Sequence, residues 1–221
     1  MKVLIQGDSH TKYIENAAAR SLLPKQHLYS FTIVHGATSL GLDNPNSKTD
    51  ALNKFRNGLR RHKPEILVTQ LGEVDCGFAI WYRQQKHGTS IEEQVIDSIT
   101  NYFKYLEEAE KEVKHIIVTA PTLPSIKDGD ITPEMSVANL RKEIKATQLE
   151  RTELTLTYSE ILKEKCIEKG YTYVDFNRTI MVDGVIDDKF LSKDAKDHHL
   201  NNAIIPHWAE HLSPVLNRFK G

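Results

Sequence analysis

The chain has 221 residues, with 29 Lys and Arg against 30 Asp and Glu and a formal net charge of −1. That length suits one ordinary domain, and a near-neutral balance without basic blocks gives no electrostatic footprint for nucleic acid. Apolar residues make up 39%, enough to bury a core, which excludes wholesale disorder.

The first candidate strand is Lys2–Gln6, followed by a helix over Tyr13–Leu23 and a second strand over His27–Val34. A helix over Lys48–Arg61 leads to a third strand, Glu65–Leu71. Ile91, Val95, Ile99, Tyr102, Phe103, Leu106, Ala109 and Val113 then recur at spacings of three and four, which marks one buried helix face. A fourth strand, His115–Ala120, precedes a long helix over Asn139–Lys169, whose apolar face carries Leu140, Ile144, Leu154, Tyr158, Ile161 and Leu162. Gly170 stands where a helix terminator should. The fifth strand is Tyr171–Phe176, and a last helix starts near Ala203, with Pro206 and Pro214 as potential kink points. The strands are continuous apolar runs, as in strands buried on both faces. Alternation of strand and helix means right-handed crossovers and a parallel sheet covered on both sides, one α/β domain over 1–221. Ligands of such sheets bind at the carboxyl ends of the strands.

Two cysteines, Cys76 and Cys166, are too few for a disulfide scaffold, and neither forms a CxxC pair. Cys76 lacks a predicted base beside it and reads as a small semi-buried residue. The apolar run at Met1–Gln6 is too short for a signal-peptide core, and no stretch approaches the ~18 apolar residues of a membrane span. The expectation is a cytoplasmic protein without membrane contact.

The loops after the strands carry the chemistry. Gly7-Asp8-Ser9-His10 turns sharply off the first strand. Ser9 there is a nucleophile whose amide faces an anion, or merely an N-cap. His10 points into the pocket or, the preferred reading, is a polar residue at a helix start. His35-Gly36-Ala37-Thr38-Ser39-Leu40-Gly41 offers glycine amides that approach a ligand closely, or a simple turn. Gly72-Glu73-Val74-Asp75-Cys76-Gly77 brings two carboxylates, or an ordinary acidic turn. Asp194 to Asn201, just ahead of the last helix, holds His198 and His199. A histidine there can serve Ser9, with an aspartate fixing its tautomer. The bland reading is a solvated polar loop, and a metal site lacks a third ligand by spacing. Trp81, Tyr82 and Arg83 contact a sugar-like substrate or cap the sheet edge. Trp208 and Leu212 read as core, and Glu107–Glu112 as a solvated helix face.

In combination these blocks resemble the SGNH/GDSL hydrolase superfamily over nearly the whole chain. The resemblance implies a flavodoxin-like three-layer α/β/α sandwich with five parallel strands in the order 2-1-3-4-5. It implies Ser9 as nucleophile from Gly7-Asp8-Ser9. The Gly36 amide then joins the Ser9 amide in an oxyanion hole, with Gly41 as the fallback. His199 is implied as general base from His199-Leu200-Asn201. Two departures stand out. Val74 occupies the position of the family's asparagine, whose side chain donates to the oxyanion; losing one such donor typically costs ~10²–10³ in rate unless a group such as Arg83 replaces it. Lys196 occupies the usual place of the triad aspartate, three before the histidine, which leaves Asp197, Asp194 or a Ser–His dyad; Asp197 needs the smaller change of loop. Glu73, Asp75 and Arg83 are the expected substrate-binding residues.

The expected activity is hydrolysis of an O-acyl ester, O-acetyl included, on a carbohydrate or small metabolite, with no metal or organic cofactor. Transfer of the acyl group to a sugar hydroxyl would use the same machinery. A non-catalytic binding domain on the same fold is the competitor from another class, which Val74 and the displaced aspartate favour. A nucleotide site is poorly supported, because no GxGxxG or GxxxxGK[ST] follows a strand.

Overall fold

The computed structural model describes residues 1–129, 144–194 and 197–219. Five parallel strands, β1 (Lys2–Gly7), β2 (Leu28–Ile33), β3 (Ile66–Gln70), β4 (His115–Thr119) and β5 (Thr172–Val174), form one sheet in the order β2-β1-β3-β4-β5. Among the described residues, six α-helices accompany them: α1 (Lys12–Ala19), α2 (Ala51–His62), α3 (Ile80–His87), α4 (Ile91–Ala109), α5 (Gln148–Lys169) and α6 (Ile205–Leu216). A small antiparallel hairpin, β6 (Met181–Val182) with β7 (Val185–Ile186), follows β5.

Alternation along each strand builds two cores, one per face of the sheet. Val3 and Ile5 of β1, with Ile66 and Val68 of β3, pack against Tyr13 and Ile14 of α1 and Ile205, Trp208 and Leu212 of α6. Leu4 and Leu67 face the other way, onto Phe55 and Leu59 of α2, Tyr102 and Leu106 of α4, and Tyr158 and Leu162 of α5. The result is a three-layer α/β/α sandwich. Because β1 lies between β2 and β3, the chain direction of the crossovers reverses there. The loops leaving β1 and β3 therefore splay to opposite faces and open a crevice at their carboxyl ends, the usual ligand position in such sheets.

Several boundaries differ from expectation for local reasons. The helix read to Leu23 ends at Ala19, because Ser21 adopts a left-handed φ of 56° just beyond it. The long helix begins at Gln148 rather than Asn139. Thr147 accepts the Glu150 amide and Glu150 accepts the Thr147 amide, a reciprocal capping box that sets its start. Ile144 precedes that helix, and positions 139–143 lie outside the described residues. The sequence reading had no helix over 75–87, yet a π-helical turn at Asp75–Ala79 runs directly into α3. It also omitted the β6–β7 hairpin, although Asp183-Gly184 carries the turn signal, both residues having positive φ (51° and 84°). Trp208 and Leu212 are core residues. No helix among the described residues is long and apolar enough to cross a membrane.

Candidate active site

Gly7 ends β1 at a place where no side chain fits. A Cβ there would lie 2.1 Å from Thr11 Oγ1 and 2.2 Å from the Gln70 carbonyl oxygen. The chain then turns through Asp8, whose buried carboxylate accepts the His10 amide at 2.8 Å. That cap starts a short 3₁₀ turn, Ser9–Thr11, with Ser9 at its first position. The side-chain cap belongs to Asp8, so the Ser9 hydroxyl is left for other partners.

From the far end of the chain, the segment before α6 is tied down over this turn. Leu191 and Leu200 form an isolated antiparallel bridge. The Asn201 side chain donates to the Lys189 and Leu191 carbonyls at 2.7 and 2.8 Å. Tyr13 of α1 donates to the Leu200 carbonyl at 3.0 Å, and the Ser125 hydroxyl donates to the His198 carbonyl. This bracing carries His199 to the serine: Nε2 lies 2.9 Å from Ser9 Oγ. Asp197 Oδ1 lies 2.7 Å from His199 Nδ1 and also accepts the His199 amide at 3.0 Å. A carboxylate only accepts, so Nδ1 carries the proton and Nε2 faces the hydroxyl as an acceptor. Asp194 is not at the ring; its carbonyl accepts the Asp197 amide at 2.9 Å.

The electrostatics favour a neutral imidazole. Burial, followed by the nearby His10, holds the His199 pKa below the ordinary histidine value, with Asp197 pulling the other way. Partial burial pushes Asp197 up, but the amide and ring N–H of His199 outweigh it and hold the carboxyl below its ordinary value. Asp197, His198 and His199 bring three ligand atoms within 4.8 Å of one another. Both His199 nitrogens are already engaged, with Ser9 and Asp197, so the group reads as a proton path rather than a cation cage.

The other expected site residues occupy varied positions. Gly36 is exposed on the loop after β2 with φ of 70°, a backbone that favours glycine; this loop adjoins β1, where the Val34 amide bonds the Gly7 carbonyl at 2.9 Å. The Gly41 amide already donates to Thr38 Oγ1 at 2.9 Å, which weakens it as a substitute. Asp75 is fully buried and faces inward. Its carboxylate accepts the Ser39 and Leu40 amides at 2.8 and 3.0 Å and the Ser98 hydroxyl at 3.0 Å. It therefore braces the Gly36–Leu40 loop against the π-helical turn and has no open face for substrate. Burial pushes its pKa up to about 6 despite those three donors. Glu73 is also buried, with Oε2 at 3.6 Å from His10 Nδ1. Arg83 is exposed on α3. Beside it, the Trp81 indole donates to the Cys76 carbonyl at 2.8 Å. Cys76 is completely buried, and burial raises its thiol pKa well above the ordinary value, so it is inert. Val74, half-buried at the head of the π-helical turn, offers no side-chain donor.

His10 stands at a helix start, as the second residue of the Ser9–Thr11 turn, but its side chain is buried, at 1% exposure. Its burial depends on Glu73 from the neighbouring strand's loop, which no local pattern reports. A hollow of about 310 Å³ opens on the Asp197 side, with Ser125, Lys127, Asp188, Leu191 and Ser192 in its wall.

No protein-family model matches the chain, and no curated protein does. Solved structures do. A candidate acylhydrolase from Bacteroides fragilis superposes with a TM-score of 0.66 at 14% identity, over 98% of this chain and 86% of that one. An acetyl xylan esterase gives 0.60 at 12% identity, over 98% and 100%. A catalytic serine-to-alanine mutant of an acetylxylan esterase from Geobacillus stearothermophilus gives 0.58 at 16% identity, over 98% and 92%. At these identities the likeness is one of fold: the chain has the three-layer fold of GDSL/SGNH-type acylhydrolases, esterases and lipases.

Proposed function

We propose that this chain is a serine ester hydrolase acting on an O-acyl ester of a carbohydrate or small metabolite. The observation that carries the reading is the hydrogen-bonded chain Ser9 Oγ–His199 Nε2 at 2.9 Å and His199 Nδ1–Asp197 Oδ1 at 2.7 Å, set at the crevice between β1 and β3. Ser9 attacks the acyl carbonyl as His199 takes its proton, and Asp197 stabilises the imidazolium that forms. The Ser9 and Gly36 amides hold the developing oxyanion. His199 then protonates the leaving alcohol, and water repeats the sequence to release the acid. This cycle calls for no metal or organic cofactor.

The substrate class rests on two supports. The fold is shared with acetylxylan esterases, and the hollow beside Asp197 carries hydroxyl and charged groups among its lining, which can bind sugar hydroxyls. O-acetyl esters are therefore the first substrates to try. The test is labelling with a fluorophosphonate probe followed by peptide mass spectrometry. The expected result is modification at Ser9 that disappears in His199→Ala. Hydrolysis of an aryl acetate by Ser9→Ala at the parental rate would overturn the reading. Product analysis with an added glycan distinguishes release of free acid from transfer to a sugar hydroxyl.

A further inference from the structure

Lys12 opens α1, one turn beyond Ser9, and its side chain is half-buried. Its ammonium stands 5.5 Å from the centre of the Tyr13 ring. That ring is itself fixed, being 1% exposed, with its hydroxyl donating to the Leu200 carbonyl next to His199. An aromatic face attracts a cation without neutralising it. Among the described residues, no carboxylate comes within 4.0 Å of the Lys12 ammonium. Lysines on the open surface do find such partners: Lys104 meets Asp43 at 3.1 Å, Lys114 meets Glu65 at 2.9 Å and Lys127 meets Asp188 at 2.6 Å. Burial lowers the Lys12 pKa, and Asp197 pulls the other way, but that carboxylate is already taken by the amide and ring of His199. A partly desolvated cation without a counter-charge is costly, and an anionic ligand group would remove the cost.

The two faces of the sheet say which part of an ester meets Lys12. The Gly36 loop belongs to one face, where its neighbours Ala37 and Leu42 join the core under α2, α4 and α5. Tyr13 and Leu200, which flank Lys12 and His199 in the chain, belong to the opposite core under α1 and α6. The oxyanion forms on the Gly36 side, whereas the leaving alcohol takes its proton from His199. Lys12 therefore lies on the side of the alcohol, where the hollow of about 310 Å³ beside Asp197 gives that part of the substrate room.

We propose that Lys12 is a specificity-determining residue whose ammonium pairs with an anionic group, a carboxylate or a phosphate, on the alcohol part of the ester. The substrate class is then an O-acyl ester of an acidic sugar or a similar anionic alcohol. The inference rests on the Ser9–His199 reading above and deepens it.

The experiment uses the full chain as parent, Lys12→Met, Lys12→Arg, Lys12→Glu and Ser9→Ala, assayed on the alkaline plateau of the pH profile. Phenyl acetate is the neutral ester. The meta and para isomers of acetoxybenzoate carry a carboxylate on the alcohol part, and para-acetoxyphenyl phosphate carries a phosphate. The readout is kcat/KM for each anionic ester divided by that for phenyl acetate, compared between variants so that the intrinsic reactivity of the esters cancels. The ratio should fall about tenfold or more in Lys12→Met, chiefly through KM, fall further in Lys12→Glu, and stay near the parent's in Lys12→Arg. Added salt should shrink the parent's ratio, and this decides the matter should the variants fail to fold. A larger loss with the acetoxybenzoates points to a sugar acid, and a larger loss with the phosphate ester to a sugar phosphate. An unchanged ratio in Lys12→Met and Lys12→Glu, with hydrolysis still dependent on Ser9, overturns the inference and leaves the esterase reading standing. So does a shifted pH limb with the ratio unchanged, for Lys12 then acts only on the charge of His199. Equal hydrolysis of phenyl acetate by parent and Ser9→Ala overturns the esterase reading instead.

Discussion

Ser9 and His199 are each ordinary until they meet, and the two distances that join them give separable expectations. Ser9→Ala removes the proposed nucleophile but only one small polar atom from a nearly buried site, so kcat/KM toward an aryl acetate should drop by about 10⁴-fold or more with the thermal midpoint nearly unchanged. Asp197 is the carboxylate at the His199 ring; Asp197→Asn should cost roughly 10²–10⁴ in kcat because the amide supports the wrong tautomer. Asp194→Asn, which keeps the carbonyl that accepts the Asp197 amide and leaves the carboxylate at the ring in place, should stay within about twofold on the same principle. Steady-state kinetics on the two variants side by side checks both, and equal losses would mean that the loop, not the carboxylate at the ring, is what matters. The residue pattern alone left Asp197, Asp194 and a dyad in play. The difference between them is a matter of which side chain a loop turns inward, and that depends on Asn201, Tyr13 and Ser125 holding the loop from three sides.

The elements explain why the site holds its shape. Gly7 permits β1 to turn immediately under the Gln70 carbonyl, where a methyl group would meet backbone at 2.2 Å. Gly7→Ala should therefore destabilise the fold by at least ~2 kcal/mol and lower activity with it, as chemical denaturation and kinetics together would report. By contrast, Thr147→Ala breaks the exposed capping box of α5 and should cost about 1 kcal/mol without changing kcat/KM. Strand and helix faces such as Val3 and Ile5 against Leu4 are readable from apolar spacing, because a helix or strand face is a local repeat. The π-helical turn at Asp75–Ala79 is not. Its conformation depends on a buried carboxylate reaching the Ser39 and Leu40 amides, partners that belong to another crossover. The same fact turns Asp75 from an expected substrate contact into a brace.

Across the molecule, pH acts through two groups in opposite senses. The proposed mechanism requires neutral His199, so kcat/KM should rise with pH through a limb below the ordinary histidine value. Asp75, with a folded-state pKa pushed up to about 6, binds a proton more readily folded than unfolded. Its contribution to stability is thus complete below the ordinary aspartate range and is lost as pH rises through about 6. Unfolding free energies measured from about pH 4 to pH 7 for the parent and Asp75→Asn should differ by an amount that changes across that window. A flat difference would mean that Asp75 ionises normally. Composition and apolar periodicity were sufficient for a parallel α/β sheet covered on both faces, since strands, helix faces and turns are written in neighbouring residues, and the resemblance of the loop blocks to the SGNH/GDSL superfamily implied Ser9, Gly36 and His199 as residues to watch. The packing of Glu73 on His10, the inward turn of Asp75 and the union of Ser9 with an imidazole 190 positions away are not so written. They follow from β3 lying beside β1 and from α6 packing on α1, and free energies of that kind exist only once distant parts of the chain exclude water together.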